Sequence, residues 1–527
     1  MLIPHEEIMG SHSETVVKNL PERMSHAVLR HALSHPDNIC TVEEQRSMTY
    51  GELAAAVEDA KRFLQAHQVR GGDRVLLVAE NSLVLLTFMM ATSELDAWAV
   101  PVNSRLTDYE IQNIFDDCKP RLVIYTTEVS QTAEQHAKAM GHTLQTQLSS
   151  GTFIHSPTLE ATPEVVQASG KEQVFALIYT SGTTGKPKGV MLTHSNVLFA
   201  SALSGRIRHL DEHSYVFAAL PMSHSFGLTS CCLATLLYGG ALYFEPKFSA
   251  QKCLKTLVDQ KVTIFMGVPP MYSSLIDEIK RQGINTHELN LTYLFIGGAS
   301  LDMETKRYIE GVFGMVLHNG YGLTETSPTV SALRYNTQLN NLSCGRPIPG
   351  IEIKLLAENG QEVQTGDVGE LWTRGPHVMK GYYNKPEMTA AVLMDDGWLN
   401  TQDLARLDED GNLYIVGRTK ELIIRSGFNV YPAEVEAAIN EHDSVIQSAV
   451  VGVTEDHNEV VIAFVQMSEG QSLSQDELRV FCKERLSPYK VPARFIFLDH
   501  FPASGSGKIL KNQLKTMAEE LCSSSTH

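Results

Sequence analysis

The apolar run Val174-Phe175-Ala176-Leu177-Ile178 leads directly into Tyr179-Thr180-Ser181-Gly182-Thr183-Thr184-Gly185-Lys186-Pro187-Lys188-Gly189, and no other segment restricts this chain so tightly. The eleven residues from Tyr179 hold three glycines, four aliphatic hydroxyls and two lysines. A buried strand ending in such a loop brings flexible backbone N–H groups, hydroxyl donors and positive charge to one point. Polyphosphate needs all three. The P-loop arrangement is excluded, because it requires four residues between its glycines and a Ser or Thr after its lysine. Here two residues separate Gly182 from Gly185, and Pro187 follows Lys186.

A length of 527 residues exceeds what one hydrophobic core usually organises, so at least two domains are expected. Hydrophobic residues at 43% and charged residues at 20% are those of an ordinary globular protein. A net charge of -18 argues against general nucleic-acid binding, which needs basic surface to displace counterions. The eight cysteines show no metal or redox spacing and suit a reducing cytosol, so a cytoplasmic location is expected. The N-terminus is acidic with no apolar run, which is unlike a secretory signal. Residues 83–100 and 228–244 are apolar enough to imitate membrane spans. The first is interrupted by Glu94 and Asp96, the second by Gly239-Gly240, and each reads better as a buried helix running into a strand.

Strand-like and helical runs alternate along the first 320 residues. Arg74-Val75-Leu76-Leu77-Val78 precedes a helical stretch at 83–94, and further strands read at 121–125, 263–268 and 291–296. This is the pattern of an α/β sheet with site loops at the carboxyl ends of its strands. From about 350 to 417 short strands with Gly and Asp turns predict a small β-rich unit. A compact α+β unit follows, with helices near 432–441 and 474–486. The expected division is therefore 1–417 and 418–527.

Four further segments carry chemistry. Val316-Leu317-His318-Asn319-Gly320-Tyr321-Gly322-Leu323-Thr324-Glu325 reads as a strand opening into a glycine turn. It supplies an amide, an aromatic face, a hydroxyl and a carboxylate. Asp403 follows Trp398-Leu399-Asn400-Thr401-Gln402, and an acid at a strand end can grip a ribose diol. Gly417-Arg418-Thr419-Lys420-Glu421 precedes an apolar run. Pro502-Ala503-Ser504-Gly505-Ser506-Gly507-Lys508-Ile509 presents one lysine on a glycine-serine loop.

In this order the segments closely resemble the adenylate-forming superfamily of acyl-CoA synthetases, luciferases and adenylation domains. The resemblance covers nearly the whole chain, from Met48-Thr49-Tyr50-Gly51-Glu52-Leu53 through Gly369-Glu370-Leu371-Trp372 to the Lys508 loop. It implies a large N-terminal domain of two α/β units and a β-barrel-like unit, hinged to a small C-terminal α+β domain. It also implies that Thr180, Ser181, Gly182, Thr183, Thr184 and Lys188 hold the β- and γ-phosphates of ATP. Asn319-Gly320 and Tyr321 would meet adenine, with Gly298-Ala299 along the base and acyl group. Thr324 would contact the α-phosphate, Glu325 would hold Mg²⁺, and Asp403 and Arg418 would take the ribose hydroxyls. Lys508 would bridge the attacking carboxylate and the α-phosphate, where accumulating negative charge needs neutralising.

Once an acyl-adenylate forms, a thiol must reach the same carbonyl. Lys420 occupies the hinge position of the resembling family, and rotation there would exchange the Lys508 loop for the face carrying Gly427. Three positions depart from the pattern: Gln402 and Asn458 stand where glycine is common, and Ser504 replaces a threonine. Pro221-Met222-Ser223-His224-Ser225-Phe226-Gly227 matches the segment lining the acyl pocket and thiol tunnel. There His224 would gate the pocket or support thiol attack, or simply pack. No acid lies between Pro221 and Phe244 to pair with an α-ammonium, so the substrate reads as a fatty or aryl acid rather than an amino acid. Arg334 reads as a surface ion pair rather than a second-carboxylate site. The expected activity is an ATP-dependent acid–CoA ligase that releases AMP and pyrophosphate. Coenzyme A is the expected thiol, and loading of a separate acyl carrier protein stands as the alternative. A light-emitting oxygenase on the same fold has nothing to single it out. A homodimer stays open, and neither nucleic acid nor a transmembrane segment is expected.

Overall fold

The computed structural model describes residues 19–44, 46–180, 187–299, 301–335, 337–425, 428–455, 458–468, 473–503 and 509–524. Ser181, Gly182, Thr183, Thr184, Gly427, Ser504 and Lys508 lie outside the described residues, as does the side chain of Asn458.

Two large sheets share one core. In the first, the described strands run in the order Gly381–Tyr382, Lys188–Thr193, Val174–Thr180, Trp98–Asn103, Arg74–Ala79, Leu122–Tyr125, Gly151–His155 and Leu144–Leu148. Its centre, from Val174–Thr180 to Leu122–Tyr125, is parallel. The three inner strands are buried along their whole length, which is why they read as continuous rather than alternating apolar runs. The second sheet runs Arg346–Pro347, Thr329–Ala332, Leu317–Gly322, Tyr293–Ile296, Ile264–Gly267, Tyr215–Ala218, Ala241–Phe244, Ile39–Glu43 and Arg46–Thr49.

The helices Leu83–Glu94 and His194–Ile207 belong to the core cluster that includes residues of both sheets. Leu83–Glu94 is apolar nearly all round because it is buried nearly all round, and the Ser82 hydroxyl caps it by accepting from the Leu85 N–H. The chain then enters the strand Trp98–Asn103. The other span-like segment is a wide helical turn, Phe226–Leu233, continued by Ala234–Leu237 and the strand Ala241–Phe244. Both are helix-into-strand, as their sequences suggest. No helix among the described residues is long and apolar enough to cross a membrane.

A four-stranded antiparallel sheet follows, Glu352–Leu356, Gly369–Arg374, Leu399–Leu407 and Leu413–Arg418, with its own small core of Leu355, Leu371, Ala405 and Leu413. Beyond it the hairpin Ile423–Arg425/Phe428–Val430 and the sheet Val445–Glu455, Asn458–Met467, Arg494–Phe497 pack with the helices Pro432–Asn440, Gln475–Lys483 and Lys511–Ser524. The architecture is α/β, with a large N-terminal part and a small C-terminal one.

Two local readings change. Leu317–Gly322 remains a strand through its glycines instead of opening into a turn. The glycines serve close approach: a Cβ on Gly322 would stand 1.6 Å from the Pro328 carbonyl oxygen of the neighbouring chain segment. Asp403 sits in the middle of Leu399–Leu407, not at a strand end, opposite Arg418 in the next strand.

Candidate active site

The strand Val174–Thr180 delivers the hydroxyl- and lysine-bearing loop, and its return strand opens at Lys188, paired in register with Thr180. The Lys188 ammonium lies 5.0 Å from the centre of the Tyr382 ring. Tyr382 donates its hydroxyl to Glu325 Oε1 at 2.8 Å. Burial lowers the Lys188 pKa, Glu325 opposes that, and the nearby positive charge of Lys420 lowers it further. Burial and then Glu325 hold the Tyr382 phenol protonated well above its usual range. Lys188, Tyr382 and Glu325 thus form one line at the start of the return strand.

Glu325 sits in the short turn Thr324–Thr326, which follows Leu317–Gly322 directly. The Met379 N–H donates to its carbonyl at 2.9 Å, fixing the turn against the chain leading to Tyr382. The Thr324 hydroxyl accepts from Ser225 Oγ at 3.4 Å, which joins this turn to the His224 segment. Among the described residues no group of three metal-ligating side chains occurs. One carboxylate suits Mg²⁺ that arrives on a polyphosphate, since that ion takes one or two carboxylates and leaves the rest of its shell to phosphate and water.

The third cluster is built across the small sheet. Tyr321 donates its hydroxyl to Asp403 Oδ2, and Arg418 Nε reaches Asp403 Oδ1 at 3.1 Å. The Asp403 N–H is held by Thr401 Oγ1 at 3.1 Å. Burial, then the Asp403 charge, keeps the Tyr321 phenol protonated. For Arg418, burial pulls its pKa down, but the charges of Asp403 and Glu421 with Tyr321 and Glu325 together outweigh it, and the net direction is up. Gln402 adopts φ 60, the left-handed conformation that a glycine would hold without strain. Its N–H donates to Asn400 Oδ1 at 2.7 Å, an Asx turn that supports the geometry. The amide oxygen of Asn319 is buried without a hydrogen-bond partner among the described residues. That oxygen is free to accept a hydrogen bond, beside Tyr321 two residues on.

The backbone N–H of His224 donates to the Pro221 carbonyl at 3.0 Å, and His224 precedes the wide turn Phe226–Leu233. Burial lowers its pKa, so the imidazole is neutral at pH 7. Gly298, at φ 76, faces Val268 and Phe226 at 3.7 and 4.0 Å from an added Cβ. A β-carbon there would stand in ordinary contact with both side chains. Arg334 is not a surface ion pair: it is half-buried and donates to the Pro347 carbonyl at 2.7 Å, and burial followed by the Arg346 charge lowers its pKa to about 10. Sequence reasoning missed Tyr382. The signal available was Gly381-Tyr382-Tyr383-Asn384, a glycine-aromatic run beyond the strand Gly369–Arg374.

In the C-terminal part, Ala503 and Ile509 flank the Lys508 loop and form an antiparallel bridge. The strands Ile423–Arg425 and Phe428–Val430 bracket Gly427. Lys420 lies in the turn Thr419–Glu421 between the two sheets. The described members thus gather as Thr180, Lys188, Thr324 and Glu325 in one group and Asn319, Gly320, Tyr321, Asp403 and Arg418 in another. The strand Leu317–Gly322 leads from the second group into the first.

The model of the AMP-binding enzyme family matches residues 28–383, and that of the AMP-binding enzyme C-terminal domain matches residues 434–508. A feruloyl-CoA synthase of Amycolatopsis sp is 34% identical over 476 residues, covering 89% of this chain and 94% of its own length. A 2-succinylbenzoate–CoA ligase of Geobacillus kaustophilus is 32% identical over 485 residues, covering 92% and 95%. Among solved structures, the Bacillus subtilis o-succinylbenzoate CoA synthetase in complex with its acyl-adenylate superposes with a TM-score of 0.79 at 30% identity, over 93% of this chain and 97% of that one. ATP-bound MatB from Rhodopseudomonas palustris gives a TM-score of 0.84 at 29% identity, over 95% and 100%.

Proposed function

Because this chain belongs to the AMP-binding enzyme family, we propose that the Tyr321–Asp403–Arg418 cluster is its ribose and adenine grip and that the line Lys188–Tyr382–Glu325 is its phosphate side. The protein is an ATP-dependent acid–thiol ligase that works through an acyl-adenylate and releases AMP and pyrophosphate. The observation that carries the site assignment is the pairing of Asp403 with both Tyr321 and Arg418. It sets a carboxylate, an aromatic face and a guanidinium around the space beside Asn319.

Asp403 and Arg418 orient the ribose hydroxyls, with Tyr321 against the base and Asn319-Gly320 at its edge. Thr180, Ser181, Gly182, Thr183, Thr184 and Lys188 hold the outgoing pyrophosphate. Mg²⁺ at Glu325 supplies charge neutralisation on the phosphates when bound. The carboxylate oxygen of the acid attacks the α-phosphorus, and the bond to the bridging oxygen of pyrophosphate breaks. Thr324 and Lys508 offset charge on the α-phosphate during that step. In the second step a thiolate sulfur attacks the acyl carbonyl, and AMP leaves with the electron pair of the broken acyl–phosphate bond. A neutral His224 is in the correct state to accept the thiol proton. Residues 1–417 form the N-terminal domain and 418–527 the mobile domain, with Lys420 as pivot and Gly427 on the face presented for the thiol.

The substrate reads as an aryl acid. Supporting this are Phe226 and Val268 beside Gly298, the absence of an acid between Pro221 and Phe244, and the aryl acids in the names of two relatives. Coenzyme A is the thiol named for both relatives. A cytoplasmic location fits the seven described cysteines, all free. The test is product analysis with ATP, Mg²⁺, an aryl acid panel and CoA. AMP, pyrophosphate and acyl-CoA are expected together, and omission of CoA should leave a bound acyl-adenylate. Production of ADP would refute the mechanism, since attack would then be at the γ-phosphate.

A further inference from the structure

Helix His194–Ile207 opens on a capping box. Asn196 Oδ1 accepts from the Thr193 N–H at 2.9 Å, and the Thr193 hydroxyl accepts from the Asn196 N–H at 3.2 Å. Helices Tyr50–Ala66, Asp108–Cys118 and Gln475–Lys483 open the same way, and there the third helical position is glutamate: Glu52, Glu110 and Glu477. A capping box needs only an acceptor at that position, which glutamate or glutamine ordinarily supplies. The three glutamates are exposed, whereas Asn196 is buried. Burial accounts for the missing charge. It also obliges the NH2 group, which the cap does not use, to find acceptors of its own.

That group donates to the carbonyls of Pro376 and Val378, each at 2.8 Å, from 180 and 182 residues away. The Val378 carbonyl and the Met379 N–H belong to one rigid peptide plane. The Met379 N–H donates to the Glu325 carbonyl at 2.9 Å. A single peptide group is thus held by Asn196 at its oxygen and by Glu325 at its nitrogen. Three residues on, Tyr382 donates its hydroxyl to Glu325 Oε1 at 2.8 Å. Residues 376–382 therefore grip Glu325 by both main chain and side chain. They cross from the strand Gly369–Arg374 of the small sheet to the strand Gly381–Tyr382, which pairs with Lys188–Thr193. Asn196 pins that crossing midway, directly before the residue that bonds Glu325.

Building on the reading that Glu325 holds Mg²⁺ on the phosphates of ATP, we propose that Asn196 is a positioning residue for the adenylation step. Through the Val378–Met379 peptide it sets the backbone of Glu325, and through the course of residues 376–382 it sets Tyr382 against the Glu325 carboxylate. The direction of that carboxylate matters because Mg²⁺ demands near-ideal octahedral geometry and takes few carboxylates. Groups that orient a ligand from behind typically affect metal affinity by about 10- to 100-fold.

The test is calorimetric binding of ATP to the full chain, once with Mg²⁺ and once with EDTA, and it needs no acid substrate. Wild-type protein should bind ATP about tenfold or more tightly with Mg²⁺, and Glu325→Gln should bring the two affinities within about threefold of each other. Asn196→Asp keeps the acceptor that caps the helix and loses both donors. It should bring the two affinities together to the same extent, while binding in EDTA stays within about threefold of wild type. Asn196→Ala carries no charge, should act alike, and decides the matter should Asn196→Asp fail to fold. The double variant of Asn196→Ala with Glu325→Gln should lose no more than Glu325→Gln alone, since both act through one carboxylate. A Mg²⁺ enhancement undiminished in the Asn196 variants, or equal weakening with Mg²⁺ and with EDTA, would overturn the role of Asn196. Absence of any Mg²⁺ enhancement in the wild-type protein, or its survival in Glu325→Gln, would instead overturn the reading of Glu325, and the positioning role with it.

Discussion

Asp403→Asn separates the nucleotide-binding role of Asp403 from a merely structural one, because the two roles have different magnitudes. Asp403 is 5% exposed, while the Arg418 side chain paired with it is 51% exposed. An ion pair with one half-exposed partner contributes at most about 1 kcal/mol to stability. Asparagine also retains an oxygen acceptor for either Arg418 or the Tyr321 hydroxyl. Unfolding without ligand should therefore change little.

The ribose contact is another matter. A hydrogen bond to a charged acceptor contributes about 1.5–3 kcal/mol. Asparagine keeps a neutral bond of about 0.5–1.5 kcal/mol, so at about 1.4 kcal/mol per decade ATP binding should weaken by roughly five- to tenfold. Titration calorimetry with Mg·ATP measures this directly, and thermal unfolding with and without ATP supplies the comparison. The expected result is a nearly unchanged unfolding temperature in the absence of ATP, with a reduced upward shift on its addition. An unchanged ATP affinity in the folded variant would refute the assignment. Asp403 would then be a strand-to-strand clamp for Tyr321 and Arg418 and nothing more.

Three further outcomes follow from particular residues. Gln402→Gly should raise the unfolding temperature by about 1–2 °C, since it relieves a left-handed residue of about 1–2 kcal/mol, partly offset by glycine's greater chain entropy; Gln402→Ala should give no gain. Lys508→Ala should lose adenylation by about a hundredfold or more while still converting a supplied acyl-adenylate to thioester, and Lys420→Pro should do the reverse, measured as two separate half-reactions. Burial raises the Glu43 carboxyl to about 7, so the folded state binds the proton more tightly and stability falls as pH rises from about 4.5 to 7. Glu43→Gln should flatten that slope in unfolding temperature against pH and be the more stable protein at pH 8.

Much of the site was legible because its residues are local in sequence. Asn319, Tyr321, Thr324 and Glu325 fall in one strand and the turn after it. Gln402 stands out as a departure because glycine is common at that position in the family, and the structure shows φ 60 there, a conformation glycine tolerates. What the sequence concealed was partnership across long separations. Tyr382 reaches Glu325 from 57 residues away, Tyr321 reaches Asp403 from 82, and Ser225 reaches Thr324 from 99. Arg334 was misjudged for a related reason. An arginine after a strand looks solvent-facing, but here the carbonyl of Pro347 in the adjoining edge strand draws it inward. Asn196 escaped notice because an asparagine near a helix start is ordinary by pattern. Only the two distant carbonyls that its NH2 group reaches make it unusual.

The same long-range bonds say where bending is cheapest. Upstream of Lys420, the Thr419 hydroxyl donates to Glu370 Oε1 at 3.1 Å, which ties it to the small antiparallel sheet. Downstream, Glu421 is held by Lys511 at 3.2 Å, and Lys511 also reaches Glu436 at 2.7 Å. Burial lowers the Lys511 pKa, but the two carboxylates outweigh that and raise it overall, so the ammonium stays charged as a cross-brace. Lys420 itself makes no side-chain hydrogen bond or ion pair among the described residues, and only the backbone bond from Leu422 N–H to the Arg418 carbonyl spans it. Among the hydrogen bonds and ion pairs of the described residues, the proposed rotation at Lys420 would break that one bond, together with the packing of Tyr431 near Gly417. Lys511 opens the helix Lys511–Ser524, so the brace ties that helix to the downstream side of the proposed pivot. The proposed turn at Lys420 would then carry the helix Lys511–Ser524 with it, as the proposed exchange of half-reactions requires.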